Sequence, residues 1–138
     1  MRIFVFLFLF IAFASESEAQ LSVHFENLTA KESTILVAVY TENEKFATED
    51  VYKWYELPCS KEKCTLNIDD LKSGEYGISA FQDLNGNAVM DKKTFGIPKE
   101  PYGFSGNPKI VMSAPSYKDC AFSYDGNSKS IQIKMNQP

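Results

Sequence analysis

The sequence predicts an all-β fold, a single Greek-key β-sandwich of about seven strands. Three observations carry that reading. Apolar and polar residues alternate with period two in several short runs. Clusters of Asn, Gly, Asp and Ser sit between those runs as turn signals. No stretch holds a helical period past two turns.

The chain begins Met1-Arg2 and runs almost wholly apolar from Ile3 to Ala14, followed by Ser15-Glu16-Ser17-Glu18-Ala19. A basic start, an apolar stretch and small residues before a cut predict a signal peptide over residues 1–19, cleaved before Gln20. Cleavage after Ala14, or retention as an uncleaved anchor, are the alternatives. The apolar run is shorter than the ~20 residues of a membrane-spanning helix. Loss of Arg2, Glu16 and Glu18 leaves residues 20–138 with 13 basic and 16 acidic side chains, a formal charge of −3. The sequence thus predicts an exported protein, periplasmic or secreted, with no stable membrane insertion after cleavage. An acidic chain is a poor match for nucleic acid, so no nucleic-acid partner is expected.

Leu21–Phe25 alternates apolar and polar, as a half-buried first strand does. Thr34–Tyr40 is apolar on both faces and β-branched, which suits a central strand covered on both sides. Val51–Leu57 is a weaker strand. Cys64–Ile68 alternates, and Gly74–Phe81 puts Tyr76, Ile78 and Ala80 on one face. Asp83 to Ser116 is a long irregular stretch, rich in Gly, Pro and Asn. Its Phe95, Ile97, Tyr102, Phe104 and Ile110 argue that it folds down onto the domain. Tyr117–Tyr124 is a weaker strand, entered by a short helical turn after Pro115. Ser130–Met135 alternates and closes the fold.

Cysteine is read through the compartment. In an oxidising space Cys59 and Cys64 are expected to pair across the loop 60–63. A zinc pair is the rival, but no histidine is near in sequence and two thiolates need further ligands. Cys120 reads as a small buried side chain.

One loop carries candidate chemistry. Asp83, Asn85, Asn87 and Asp91 place oxygen side chains at positions one, three, five and nine, and the Val89 carbonyl falls at position seven. A hard cation needs several oxygens on one point, and alternate residues of a curled loop supply them. Calcium is the cofactor this pattern predicts. An EF-hand is rejected: Ala88 stands where its turn needs Gly, Thr94 stands where a bidentate Glu belongs, and no helix follows. The competing reading is a metal-free turn in which Asp83 and the asparagines cap their own backbone amides.

Gly74-x-Tyr76-x-Ile78, the Asp83–Asp91 run, and Gly96-Ile97-Pro98-Lys99-Glu100-Pro101-Tyr102-Gly103-Phe104-Ser105 together resemble a bacterial exported family, domain-of-unknown-function family 2141. Pro115-Ser116-Tyr117-x-Asp119-x-Ala121-Phe122 is similar to its next block. The resemblance implies a transthyretin-like or immunoglobulin-like sandwich and carries no activity with it. The chain departs from the family pattern at Ala88, where Gly is favoured, at Gln82, where His is common, and at Cys120, where Ala is usual.

Tyr102, Phe104 and Trp54 form a candidate ligand platform. The alternative is that Tyr102 and Phe104 only pin the long loop to the sandwich edge. No catalytic residue is assigned. The lone histidine, His24, falls on the polar face of the first strand, and G-x-S-x-G, H-E-x-x-H and P-loop motifs are absent. A hydrolase would have to draw on Asp83, Asp91 or Glu100 in the loop. The expected function is therefore a non-enzymatic binding or accessory module for a protein or glycan, against a purely structural domain. An exposed groove lined by Tyr102, Phe104 and Trp54 would favour the binding module.

Overall fold

A computed structural model describes residues 19–138. The predicted signal peptide lies outside these residues, apart from Ala19. The strands are β1 (Leu21–Glu26), β2 (Ser33–Tyr40), β3 (Lys53–Cys59), β4 (Cys64–Ile68), β5 (Gly74–Asp83), β6 (Tyr102–Phe104), β7 (Phe122–Tyr124) and β8 (Lys129–Lys134), with a one-turn helix α1 (Tyr117–Cys120) before β7. They form two sheets. The smaller has the order β4-β1-β8, with β1 antiparallel to β4 and parallel to β8. The larger has the order β3-β2-β5-β6, and β7 pairs with the first residues of β5. Among the described residues eight strands stand where about seven were expected.

The period-two pattern sets which face turns inward. Leu21, Val23 and Phe25 of β1 meet Ile35, Val37 and Val39 of β2, Ile78 and Ala80 of β5, and Ile133 beyond the β7–β8 turn, all buried between the sheets. Burying one such aliphatic side chain contributes roughly 1.5–3 kcal/mol before entropy is counted. Among the described residues, sheets and core are built from Leu21 to Met135, so residues 20–138 carry every strand and core side chain described.

Two contacts tie the layers. Asn136 N–H donates to the Tyr102 carbonyl at 2.6 Å and Tyr102 N–H to the Asn136 carbonyl at 3.1 Å, which joins β6 to the segment after β8. Asn107 donates from Nδ2 to the Gln132 carbonyl at 2.9 Å and accepts at Oδ1 from Lys134 N–H at 2.8 Å. Its side-chain amide thus occupies backbone groups of β8 that a neighbouring strand would use. Cys59 and Cys64 form the expected disulfide at the β3–β4 corner, and Cys120 is buried and free.

Two readings of the long stretch 83–116 change. It contains a strand, β6, too short at three residues to show a period. Tyr102 and Phe104 do fold down, but Phe95 and Ile97 are exposed. Among the described residues no helix is long and apolar enough to cross a membrane.

Candidate functional site

The outer face of the large sheet is the first feature. Register places Trp54, Ala38, Ser79 and Phe104 in one row across β3, β2, β5 and β6. The next row is Glu56, Leu36, Phe81 and Tyr102. Successive side chains of a strand alternate faces, so these rows point away from the core. Leu36 and Ala38 are half-buried, so the second side of β2 is only partly covered.

One end of this face is closed. Phe46, from the β2–β3 loop, lies 5.0 Å from Tyr40 and 6.0 Å from both Phe104 and Tyr117, ring centre to ring centre. Gly77 permits this approach, since a Cβ there would meet Phe46 at 3.0 Å and Tyr117 at 3.2 Å. Burial pushes the Tyr117 hydroxyl up to about 12. The other end is an open groove of about 1260 Å³ between the segments 47–51 and 88–92. That exceeds the ~300–1,000 Å³ of small-molecule sites and suits an extended ligand. Trp54 stands in it 62% exposed, Tyr102 is half-buried, and Phe104 lies in its floor. The three platform residues are therefore brought together on one surface.

The Asp/Asn loop forms one wall. Asp83 is only 5% exposed at the end of β5; its Oδ1 accepts from Gly86 N–H and its Oδ2 from Ala88 N–H, both at 2.8 Å. Asn85 Oδ1 accepts from Asn87 N–H at 3.2 Å, and Asn87 Oδ1 from Val89 N–H at 3.0 Å. Asp91 Oδ2 accepts from the Asn85 and Asn87 amides at 2.6 and 2.9 Å. Ala88 takes φ +59°, the left-handed turn that a Gly would supply at lower cost. Asp83, Asn85, Asn87 and Asp91 thus share one hydrogen-bonded knot, while the Val89 side chain points to solvent.

Sequence spacing missed one member. Glu100 is 4% exposed; its Oε1 accepts from Leu84 N–H at 2.9 Å and its Oε2 from Asp91 N–H at 3.3 Å. Position twelve of the loop falls on Thr94, but a hairpin over 91–99 delays the carboxylate by six residues. An acid set between Pro98 and Pro101 was the available signal. Among the described residues, no three His, Cys, Asp or Glu side chains gather as a metal-holding group, so the oxygen set depends on the asparagines.

His24 is on the small sheet, away from this surface. Its Nδ1 lies 2.8 Å from Thr65 Oγ1 and its Nε2 3.3 Å from Ser130 Oγ. Both ring nitrogens face hydroxyls.

No curated protein and no solved structure is found to match the chain. A family model described as "Uncharacterized protein conserved in bacteria (DUF2141)" matches residues 23–132, from β1 into β8. The chain therefore belongs to domain-of-unknown-function family 2141, the family its loop motifs resemble.

Proposed function

We propose that the chain is an exported, non-enzymatic binding module that holds a protein or glycan partner in the groove on its large sheet. One observation carries this reading: Trp54 stands 62% exposed over an apolar floor of Leu36, Ala38 and Phe81. An open apolar surface with a large aromatic ring marks an interaction site. The leader-like start and the disulfide support export. Against catalysis, Asp83, Asp91 and Glu100 are engaged in holding the loop, and His24 bonds hydroxyls.

Trp54 is the single tryptophan, so tryptophan emission, excited to the red of the tyrosine band, reports on the groove. Residues 20–138 are titrated with peptide and oligosaccharide panels. A saturable fluorescence change is expected with at least one panel member, and Trp54→Ala should lose that binding, read by calorimetry, at unchanged melting temperature. No ligand from either panel up to about 1 mM, a Kd at the weak limit of specific recognition, or undiminished binding by Trp54→Ala, defeats the reading.

We further read the Asp83–Asp91 loop as calcium-stabilised. Each Asp83 oxygen keeps a free lone pair beside its N–H bond. The metal-free turn is the second reading, and the four capped amides favour it. Two carboxylates in the motif place the expected Kd on the order of 10⁻⁴ to 10⁻³ M. At about 10 mM calcium, linkage gives about 1.4–2.7 kcal/mol. For a domain of this size the melting point then rises by about 6–11 °C over chelator-treated protein. That rise should vanish in Asp83→Asn. No rise leaves the metal-free turn.

A further inference from the structure

We propose that the hairpin 91–99 is a finger that docks the protein reversibly on an anionic phospholipid bilayer, with Phe95 entering the interface. The finger is a built element. Lys99 N–H donates to the Asp91 carbonyl at 2.8 Å, Lys92 bridges Pro98, and Lys93 N–H donates to the Ile97 carbonyl at 2.6 Å. Its tip is Phe95-Gly96, at φ +66° and +75°. Gly96 N–H closes the turn 93–96 on the Lys93 carbonyl at 3.2 Å, so Phe95 is its third residue, a place where a positive φ favours Gly or Asn. A bulky Phe there is strained. It is also 97% exposed, so no contact within the fold offsets the strain or the hydration of its ring. Ile97, two residues on, is 52% exposed.

Charge selects the occupant. Lys92, Lys93 and Lys99 are exposed on the finger. Its acids are withdrawn: Asp91 bonds the Asn85 and Asn87 amides at the base, and Glu100, just beyond, is buried. A cationic apolar tip therefore projects from a chain whose net charge is −4. Lysines attracted to anionic headgroups around one aromatic side chain at the acyl boundary is the chemistry of interfacial binding. The groove shares the finger's root, Asp91 and Lys92, but not its tip, and its rim carries Glu49, Asp50 and Glu56.

The test is co-sedimentation of residues 20–138 with sucrose-loaded vesicles in chelator. One set is phosphatidylethanolamine with phosphatidylglycerol, about 3:1; the other is pure phosphatidylcholine. Binding is expected on the anionic set, falling with salt, and weaker by about five-fold or more on the neutral set. Phe95→Asn should lower partitioning about ten-fold or more while melting no lower than wild type, because Asn accepts the positive φ of the turn's third residue. Lys92→Gln with Lys93→Gln should weaken binding to the anionic set alone. Trp54→Ala should bind vesicles as wild type does, which separates this inference from the groove reading. Wild type left in the supernatant at about 5 mM lipid, equal binding by Phe95→Asn, or a Phe95-dependent dimer without vesicle binding overturns the proposal.

Discussion

Gln82 is fully buried at the junction of β5 and the β1–β2 loop, and Gln82→Leu should lower the stability of the domain although it adds apolar surface to the interior. Its Oε1 accepts from Thr29 N–H at 2.9 Å, and its Nε2 donates to the Thr29 carbonyl and to Ser33 Oγ, both at 2.8 Å. Leucine keeps most of the volume and none of these bonds. The Thr29 N–H is then left without its partner, at roughly 1–3 kcal/mol, while the Thr29 carbonyl loses one bond and keeps that from Lys31 N–H at 2.8 Å; extra apolar burial offsets part of the loss. The net loss is about 2 kcal/mol. Unfolding entropy of ~2.1 cal/mol/K per residue gives about 0.25 kcal/mol/K for a domain of this length, so the midpoint falls by about 8 °C. Circular-dichroism melts of wild type and variant read this directly, with urea titration checking that the m-value is unchanged. A fall under about 3 °C would refute the reasoning, since it would mean that water or a shifted loop satisfies Thr29 as well as the buried amide does.

Three further outcomes follow from the same geometry. Cys59→Ser with Cys64→Ser opens a six-residue ring, which the chain-entropy relation values at about 2 kcal/mol; melting should fall by about 8 °C, and reductant should shift wild type equally but leave the variant unmoved. Burial, with Asp119 adding to it, pushes the Cys120 thiol up to about 12, so the native protein should stay inert to a thiol reagent at pH 8 and react once per chain in denaturant. Hydrogen bonds from Lys53 and Tyr55 hold the Asp70 carboxyl below its usual range. A carboxyl lowered in the folded state stabilises above its unfolded value and loses that contribution as pH falls through the folded one. Asp70→Asn should therefore cost a small amount at pH 6, where the exposed pair is worth little, and nothing near pH 2; an equal cost at both pH values contradicts the assignment.

Strands with one clean apolar face were legible in the sequence. β1, β4, β5 and β8 expose their period over five residues or more, and each packs the face that the pattern gives. β6 was not legible, because three residues hold one and a half periods and its partner in β5 is fixed by tertiary contact. The aromatics of stretch 83–116 misled for a physical reason. Tyr102 and Phe104 are held by pairing with Phe81 and Ser79, whereas Phe95 sits on a turn that has no neighbour to pack on. The knot was half legible. Asp83, Asn85, Asn87 and Asp91 follow from local spacing, but Glu100 arrives only after the finger folds back. The groove was legible as residue types and not as a place, since Trp54 and Phe104 are fifty residues apart and meet through register alone.

The loop 83–101 joins both proposed surfaces through Asp91. Asp91 N–H donates to Glu100 Oε2, its carbonyl accepts from Lys99 at the root of the finger, and Asp91 itself lines the groove. Its Oδ2 also takes both asparagine amides. In the calcium reading, loading the knot leaves the Asp83 N–H bonds in place but draws the Asp91 carboxylate toward the ion, away from Asn85 and Asn87. The finger root and the groove wall share that backbone, so a metal that tightens the knot must stiffen both. Binding energy shared between sites in this way is reciprocal. Calcium should then sharpen vesicle binding and ligand binding alike, and each should raise calcium affinity by the same factor. Glu100→Gln separates the two effects. It keeps one carbonyl acceptor for Leu84 N–H, places an amide donor against Asp91 N–H, and so loosens the root of the finger without removing an oxygen of the Asp83–Asp91 motif. Calcium binding that survives while its effect on vesicle partitioning disappears would assign the coupling to the Asp91–Glu100 contact. Coupling that persists unchanged would place it elsewhere in the loop.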